Sequence, residues 1–142
     1  MVRMITKAVL AGAVGVCALL CAQVEHVRAQ DKDEKKLTTK QIMGAGHKGA
    51  DALFGKVQAA VKAKKWEDAA EPAKELAANG SIFPKAKPPK GDDESWKKLA
   101  GKYADDTKAL AEAVDKKDEA AAKKAMTGIG NCKTCHDAHK GK

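Results

Sequence analysis

The sequence predicts an all-α fold, arranged as an antiparallel four-helix bundle. Alanine is abundant and β-branched residues are few, a composition that favours helix over sheet. Apolar residues recur at steps of three and four along four segments, the spacing that gives each helix one buried face. No segment shows the alternating pattern of a strand. A chain of 142 residues suits one domain, which we place at residues 38–142.

Residues 1–29 are predicted to be a secretory signal peptide. Two basic residues precede an apolar stretch over 8–21, and cleavage is expected after Ala22 or Ala29. An uncleaved anchor is the alternative, although the apolar stretch is shorter than the roughly 20 residues of a membrane span. The mature chain is therefore expected to be exported, to the bacterial periplasm or a similar compartment, without a membrane span.

Residues 30–37 are predicted to be a polar lead-in to the helical domain. Signal cleavage leaves Cys132 and Cys135 as the only cysteines. The full sequence carries 27 basic and 19 acidic residues, for a formal net charge of +8. These charges are interleaved, which is typical of a solvated helix surface and also suits docking of an acidic protein partner. No basic helix interleaved with aromatic residues indicates nucleic-acid binding.

The first helix is predicted over Thr39–Lys64. Thr38 or Thr39 can cap its N-terminus, and Gln41 stands three residues after Thr38, as in a capping box. Steps of three and four then define the buried face expected of this helix. Its members are Met43, His47, Ala50, Phe54, Val57 and Val61.

The second helix is predicted from Trp66 to about Ala78. Pro72 either bends this helix or marks its true start, because proline is tolerated best in the first turn. The pair Asn79-Gly80 is a typical stop signal. This segment is therefore expected to end before residue 80.

A proline-rich crossover over 81–91 connects to the third helix, and Ile82 and Phe83 are expected to pack against the helices. Asp92 or Asp93 can cap the third helix. Its expected buried face is Trp96, Leu99, Tyr103, Thr107, Leu110 and Val114.

The fourth helix is predicted to follow a turn at Lys116-Lys117, with Asp118 as its cap. It is expected to continue without interruption to the end of the domain. Its expected buried face is Ala122, Met126, Ile129, Cys132 and His136.

Cys132, Cys135 and His136 form a C-x-x-C-H run, the attachment sequence for a c-type haem. Two thiols three residues apart share a helix face and can reach both vinyl groups of one porphyrin, while the next residue directs an imidazole at the iron. A redox dithiol needs a βαβ context, and a zinc site would need His139 as a fourth ligand within one or two turns. We therefore predict one haem c per chain, with His136 as an axial ligand.

The second axial ligand must come from a different helix. Met126 and His139 are expected to share the helix of His136, and both are therefore excluded as the second axial ligand. Met126 would lie about 15 Å from His136 along the helix axis. Met43 and His47 remain, one turn apart on the first helix. Met43 is the predicted distal ligand, His47 is the alternative, and an open or water-filled position is the third possibility.

This combination resembles the class II c-type cytochromes, in which C-x-x-C-H lies on the last helix of an exported, alanine-rich four-helix chain. The resemblance covers the mature chain in architecture, but the motif is confined to Cys132–Lys140. The family includes high-spin, cytochrome c-prime-like members that bind nitric oxide or carbon monoxide, and low-spin members with a methionine ligand near the start of the first helix. Met43 matches that methionine, and Lys140 matches the family's basic residue four after the haem histidine. His47 departs from the pattern and keeps bis-histidine ligation open.

The predicted function is one-electron transfer by an exported cytochrome with His136 and Met43 as axial ligands. The alternative is a high-spin or mixed-spin protein that binds NO or CO at an open distal site. No Ser/His/Asp set, phosphate-binding loop or paired carboxylates can be identified, so enzymatic activity is not predicted. The expected partner is a redox protein with an acidic docking face, and pairing of two copies through the first two helices stays open.

Overall fold

The structure, a computed structural model, describes residues 37–141. The predicted signal peptide and residues 30–36 of the lead-in lie outside the described residues. Between residues 37 and 141 every regular element is a helix and there is no strand, which confirms the all-α prediction. The helices are α1 (Thr39–His47), α2 (Leu53–Lys62), α3 (Trp66–Ile82), α4 (Asp93–Asp115), α5 (Glu119–Ile129) and α6 (Cys132–His139), with a 3₁₀ turn at Phe83–Lys85.

Side-chain caps begin three of these helices where the sequence predicts them. Thr38 and Gln41 form a capping box at the start of α1. The Asp92 carboxylate accepts the N–H of Ser95 at the start of α4, and Asp118 caps α5 in the same way. Of the alternatives at the two uncertain starts, Thr38 and Asp92 are therefore the caps.

The apolar residues form two clusters. In the larger one, α3 packs against α2 and α4, α4 packs against α5, and α2 also contacts α5. The smaller cluster is formed by buried Ile42, Phe83, Trp96 and Ala100, which come from α1, the 3₁₀ turn and α4. The Trp96 indole N–H is shared between the carbonyls of Phe83 and Ala86, at 3.1 and 2.8 Å, and so holds the crossover against α4. The predicted packing of Phe83 is confirmed.

The predicted first helix is wrong in its continuity, because Thr39–Lys64 is divided into α1 and α2. Lys48 ends α1 in an extended conformation, and Gly49 has φ +89°, a value that glycine adopts without steric cost. Ala50, expected on the buried face, is exposed. The apolar spacing continues across this break, so periodicity alone predicts one helix where the backbone forms two.

The predicted end of the second helix is also wrong. The segment starts at Trp66, with Glu67 and Asp68 in its first turn, and continues past Pro72 to Ile82. The alternative start near Pro72 is therefore excluded. Gly80 is buried inside the helix, and a Cβ added there would collide with the Thr107 hydroxyl of α4. This glycine thus permits close approach of α3 and α4 and does not stop the helix.

Gly80→Ala is expected to destabilise the protein by about 1–3 kcal/mol, the usual cost of overpacking a core. Thr107 cannot yield easily, because it is fully buried and its hydroxyl donates to the Ala104 carbonyl at 2.9 Å. Gly101→Ala in α4 is the matched control, since a Cβ there meets nothing within 4 Å. That control should gain about 0.5–1 kcal/mol. Denaturant unfolding measures both, and equal stability of the two variants would contradict the tight contact.

The predicted fourth helix is wrong at its C-terminal end. It stops at Ile129, and the C-x-x-C-H run lies on a separate short helix, α6, that starts at Cys132. Gly130 and Asn131 form the connection, where the backbone leaves the α5 axis. Cys132 and His136 are consequently exposed and do not continue the buried face of α5. Over residues 37–141, no helix has the length and apolar character needed to cross a membrane.

Candidate functional site

Two adjoining cavities lie between α1, α4 and α6, with volumes of about 230 and 690 Å³. The smaller one also reaches the end of α5, where Ile129 joins Leu99 of α4 in its lining. Residues that line both cavities mark where they meet, and these are Met43, His47, Phe83, Cys135 and His136. Four of the five predicted site residues therefore lie at one place, and Cys132 lines the smaller cavity beside them.

Helix α6 presents the C-x-x-C-H residues to these cavities. Cys132 and Cys135 are three residues apart on one helix and so project from the same side. Both thiols are free; Cys132 is exposed and Cys135 is half-buried against the smaller cluster. Burial raises the pKa of the Cys135 thiol, and the neighbouring Cys132 adds to this shift. The Cys135 sulfur therefore stays protonated at neutral pH.

His139 anchors α6 to the N-terminal end of α4. Its side chain is 2% exposed, and its ring packs edge-on against Trp96 with 5.4 Å between ring centroids. Nδ1 lies 2.7 Å from the Lys90 carbonyl, an acceptor, so this nitrogen donates. Nε2 lies 3.0 Å from the Ser95 hydroxyl, which donates to it when the imidazole is neutral. Both ring nitrogens are therefore engaged, and His139 holds α6 against the start of α4.

A zinc site on α6 would lack its fourth ligand, because both ring nitrogens of His139 are hydrogen-bonded to other groups. Over residues 37–141, no three His, Cys, Asp or Glu side chains are arranged to hold a metal ion. Cys132, Cys135 and His136 are thus brought together on α6 without the tetrahedral set of a structural zinc site.

Helix α1 supplies Met43 and His47 from the opposite side. Ile42 is 1% exposed in the smaller cluster, and it fixes α1 against α4 and the 3₁₀ turn. Met43 packs on the same cluster and is half-buried, and His47 follows one turn later on the cavity wall. Both side chains line the two cavities together with His136.

The geometric reason for excluding Met126 is wrong, because Met126 is on α5 and His136 is on α6. The structure places Met126 against the larger apolar cluster instead, and it lines neither of the two cavities. Its absence from the cavity lining therefore follows from how its side chain packs and not from a shared helix axis.

Tyr103 is a member of the site that the sequence assigns only to the buried face of α4. Its hydroxyl lies 2.8 Å from Nε2 of His47, and its ring stacks at an angle on Phe83 with centroids 5.2 Å apart. A tyrosine within an otherwise apolar stripe is a signal for such a contact, because its hydroxyl needs a partner when buried. The partner, 56 positions away, could not be identified from spacing.

Burial keeps both members of this pair uncharged. Burial is the main cause that lowers the pKa of His47, and the charge of His136 lowers it further. Burial also raises the pKa of the Tyr103 hydroxyl, with a smaller contribution from Cys132. The imidazole and the phenol therefore share a neutral hydrogen bond at pH 7.

Basic side chains surround the wider cavity. Lys40, Lys48 and Lys140 line it, whereas Lys102 at the smaller cavity is paired with Asp106 at 2.7 Å. Lys133, on the outer side of α6, is paired with Asp137 at 2.6 Å. The positive charge beside the site thus comes mainly from α1 and from the end of α6.

Comparisons with protein-family models, with curated proteins and with solved structures gave no match for this chain.

Proposed function

We propose that the protein is an exported c-type cytochrome that transfers single electrons and holds one haem c per chain. One observation carries this proposal: residues of α6 and of α1 line the same pair of cavities. Cys135 and His136 of α6 and Met43 of α1 line both cavities, and Cys132 lines the smaller one. Export rests on the signal-like character of residues 1–29.

The residues at these cavities fit a haem in chemistry and in space. Phe83, Leu99 and Ile129 provide apolar walls for a porphyrin face, and the two thiols stand at the edge of the same space. The larger cavity, which shares Phe83, Cys135 and His136 with the smaller one, has a volume of about 690 Å³, within the range of about 300–1,000 Å³ typical of ligand sites. A core rich in alanine buries little area per residue, so a large apolar ligand would add burial that the side chains lack.

A bound haem would supply a one-electron couple at its iron. Cys132 and Cys135 would hold it through thioether bonds, and the imidazole of His136 would provide one axial ligand. Met43 would provide the other through its sulfur, because it is uncharged and lines both cavities together with His136. Methionine with histidine raises the reduction potential relative to two histidines.

The contacts among α2, α3, α4 and α5 support the finer proposal of an antiparallel four-helix bundle. Each of these helices contacts two others of the set, as the members of a bundle do. In this arrangement α1 and α6 are additions at one end, and they carry the site.

The proposed partner is a redox protein with an acidic docking face. Lys40, Lys48 and Lys140 surround the wider cavity and face solvent, so their charge is available to a partner. Electrostatic attraction of this kind raises the association rate and weakens with ionic strength.

The absorption spectrum of the mature protein in both oxidation states tests the proposed ligands. We expect low-spin spectra in both states and, in the ferric protein, the weak long-wavelength charge-transfer band of a sulfur–iron bond. A high-spin ferric spectrum would contradict methionine ligation and favour the gas-binding alternative with an open distal position. A colourless protein would overturn the haem proposal itself.

A further inference from the structure

We infer that Tyr103 is a positioning residue that keeps His47 away from the iron and so selects Met43 as the second axial ligand. This inference rests on the proposed function. Met43 and His47 compete for one position at the iron, and Tyr103 is hydrogen-bonded to His47.

Met43 and His47 are equivalent in access. They are four residues apart on α1 and line the same two cavities, opposite the helix that carries His136. Their chemistry is not equivalent, since imidazole is the more general ligand for iron and a thioether is a softer and weaker one. Ligand strength alone therefore favours His47, and selection of Met43 needs something that restrains the imidazole.

The restraint on His47 comes from one hydrogen bond and two aromatic contacts. Nε2, the ring nitrogen farther from the backbone, lies 2.8 Å from the Tyr103 hydroxyl. The His47 ring also packs against the rings of Phe54 and Tyr103, with centroid distances of 5.4 and 5.8 Å. To bind iron through Nε2, the imidazole would have to break this hydrogen bond and move away from the rings of Phe54 and Tyr103.

Tyr103 is itself held in place, so it cannot follow the imidazole. Its ring contacts Phe83 at 5.2 Å and packs on the smaller apolar cluster. Loss of His47 would leave its largely buried hydroxyl without the one side-chain partner that the structure gives it. Met43 is less restrained, because it packs on the smaller apolar cluster through a flexible thioether side chain.

Tyr103→Phe in the full holoprotein tests the inference, because it removes one oxygen and keeps the aromatic packing. We expect the ferric sulfur–iron charge-transfer band to be lost, the spectrum to become that of a low-spin bis-histidine haem, and the reduction potential to fall. The double variant Tyr103→Phe/His47→Gln should regain the methionine band, because the competing imidazole is gone.

Each outcome decides the matter. Retention of the methionine band and the wild-type potential in Tyr103→Phe would overturn the inference. Loss of the band in the double variant would also overturn it, because the effect would then not pass through His47. A wild-type protein without the methionine band would instead refute the proposed function, and the two failures are thus distinguishable. A purely structural role of Tyr103 would change stability without converting the spectrum to bis-histidine.

Discussion

Met43→Ala is expected to convert a low-spin protein that is closed to ligands into one that binds carbon monoxide rapidly in the ferrous state. Alanine offers no ligand and leaves space on the distal side, where Met43 lines both cavities. His47 should not replace it, because Tyr103 holds Nε2 at 2.8 Å. Absorbance changes after mixing the reduced protein with carbon monoxide measure the effect, and binding should rise from negligible to complete.

Met126→Ala is the matched control for this experiment. Met126 is half-buried on α5, packs on the larger apolar cluster and lines neither cavity, so its loss should leave the spectrum and ligand binding unchanged. An unchanged spectrum in Met43→Ala would assign the distal position to His47. Carbon monoxide binding by the wild-type protein at the rate of the variant would mean that the site is open without any substitution.

The double variant Cys132→Ser/Cys135→Ser is expected to lose covalently bound haem and much of its stability. The two thiols are the only cysteines among residues 37–141, and both are free to form thioethers. Loss of a bound metal or cofactor is among the few changes that cost about 4 kcal/mol or more. The alanine-rich core offers little to offset it. Haem staining after denaturing electrophoresis and denaturant unfolding measure the two effects.

The single variants Cys132→Ser and Cys135→Ser serve as controls, because each keeps one thiol for attachment. We expect each of them to retain haem through one bond and to have a stability between the wild type and the double variant. Haem that remains bound to the double variant after denaturation would contradict attachment through these cysteines. Stability equal to that of the wild type would contradict the proposed contribution of the cofactor to the core.

Features set by neighbouring residues could be predicted from the sequence. Thr38, Asp92 and Asp118 cap helices through bonds to backbone groups three residues away, so their spacing is enough to identify them. The same is true of the C-x-x-C-H run, whose two cysteines and one histidine lie within five residues on α6. One helical turn separates Met43 and His47, so the same spacing argument predicts that both side chains lie on one face of the helix.

Features set by tertiary contacts could not be predicted in this way. Gly80 has the local character of a stop signal, but its contact with Thr107 of α4 makes it an interior helix position. The pairing of His47 with Tyr103 depends on how α1 packs against α4. The anchoring of His139 to the Lys90 carbonyl depends on the path of the crossover. Sequence spacing does not give the distances between residues on different elements. The sequence therefore predicts the motif but not the tertiary contacts that hold it in place.

The intact mass of the exported protein under denaturing conditions is the most direct test of the haem proposal. Denaturation removes a cofactor held only by axial ligands and packing, but not one held by thioether bonds at Cys132 and Cys135. The proposal predicts the mass of the processed polypeptide plus one haem. The mass of the polypeptide alone, in protein from a host that matures c-type cytochromes, would contradict it.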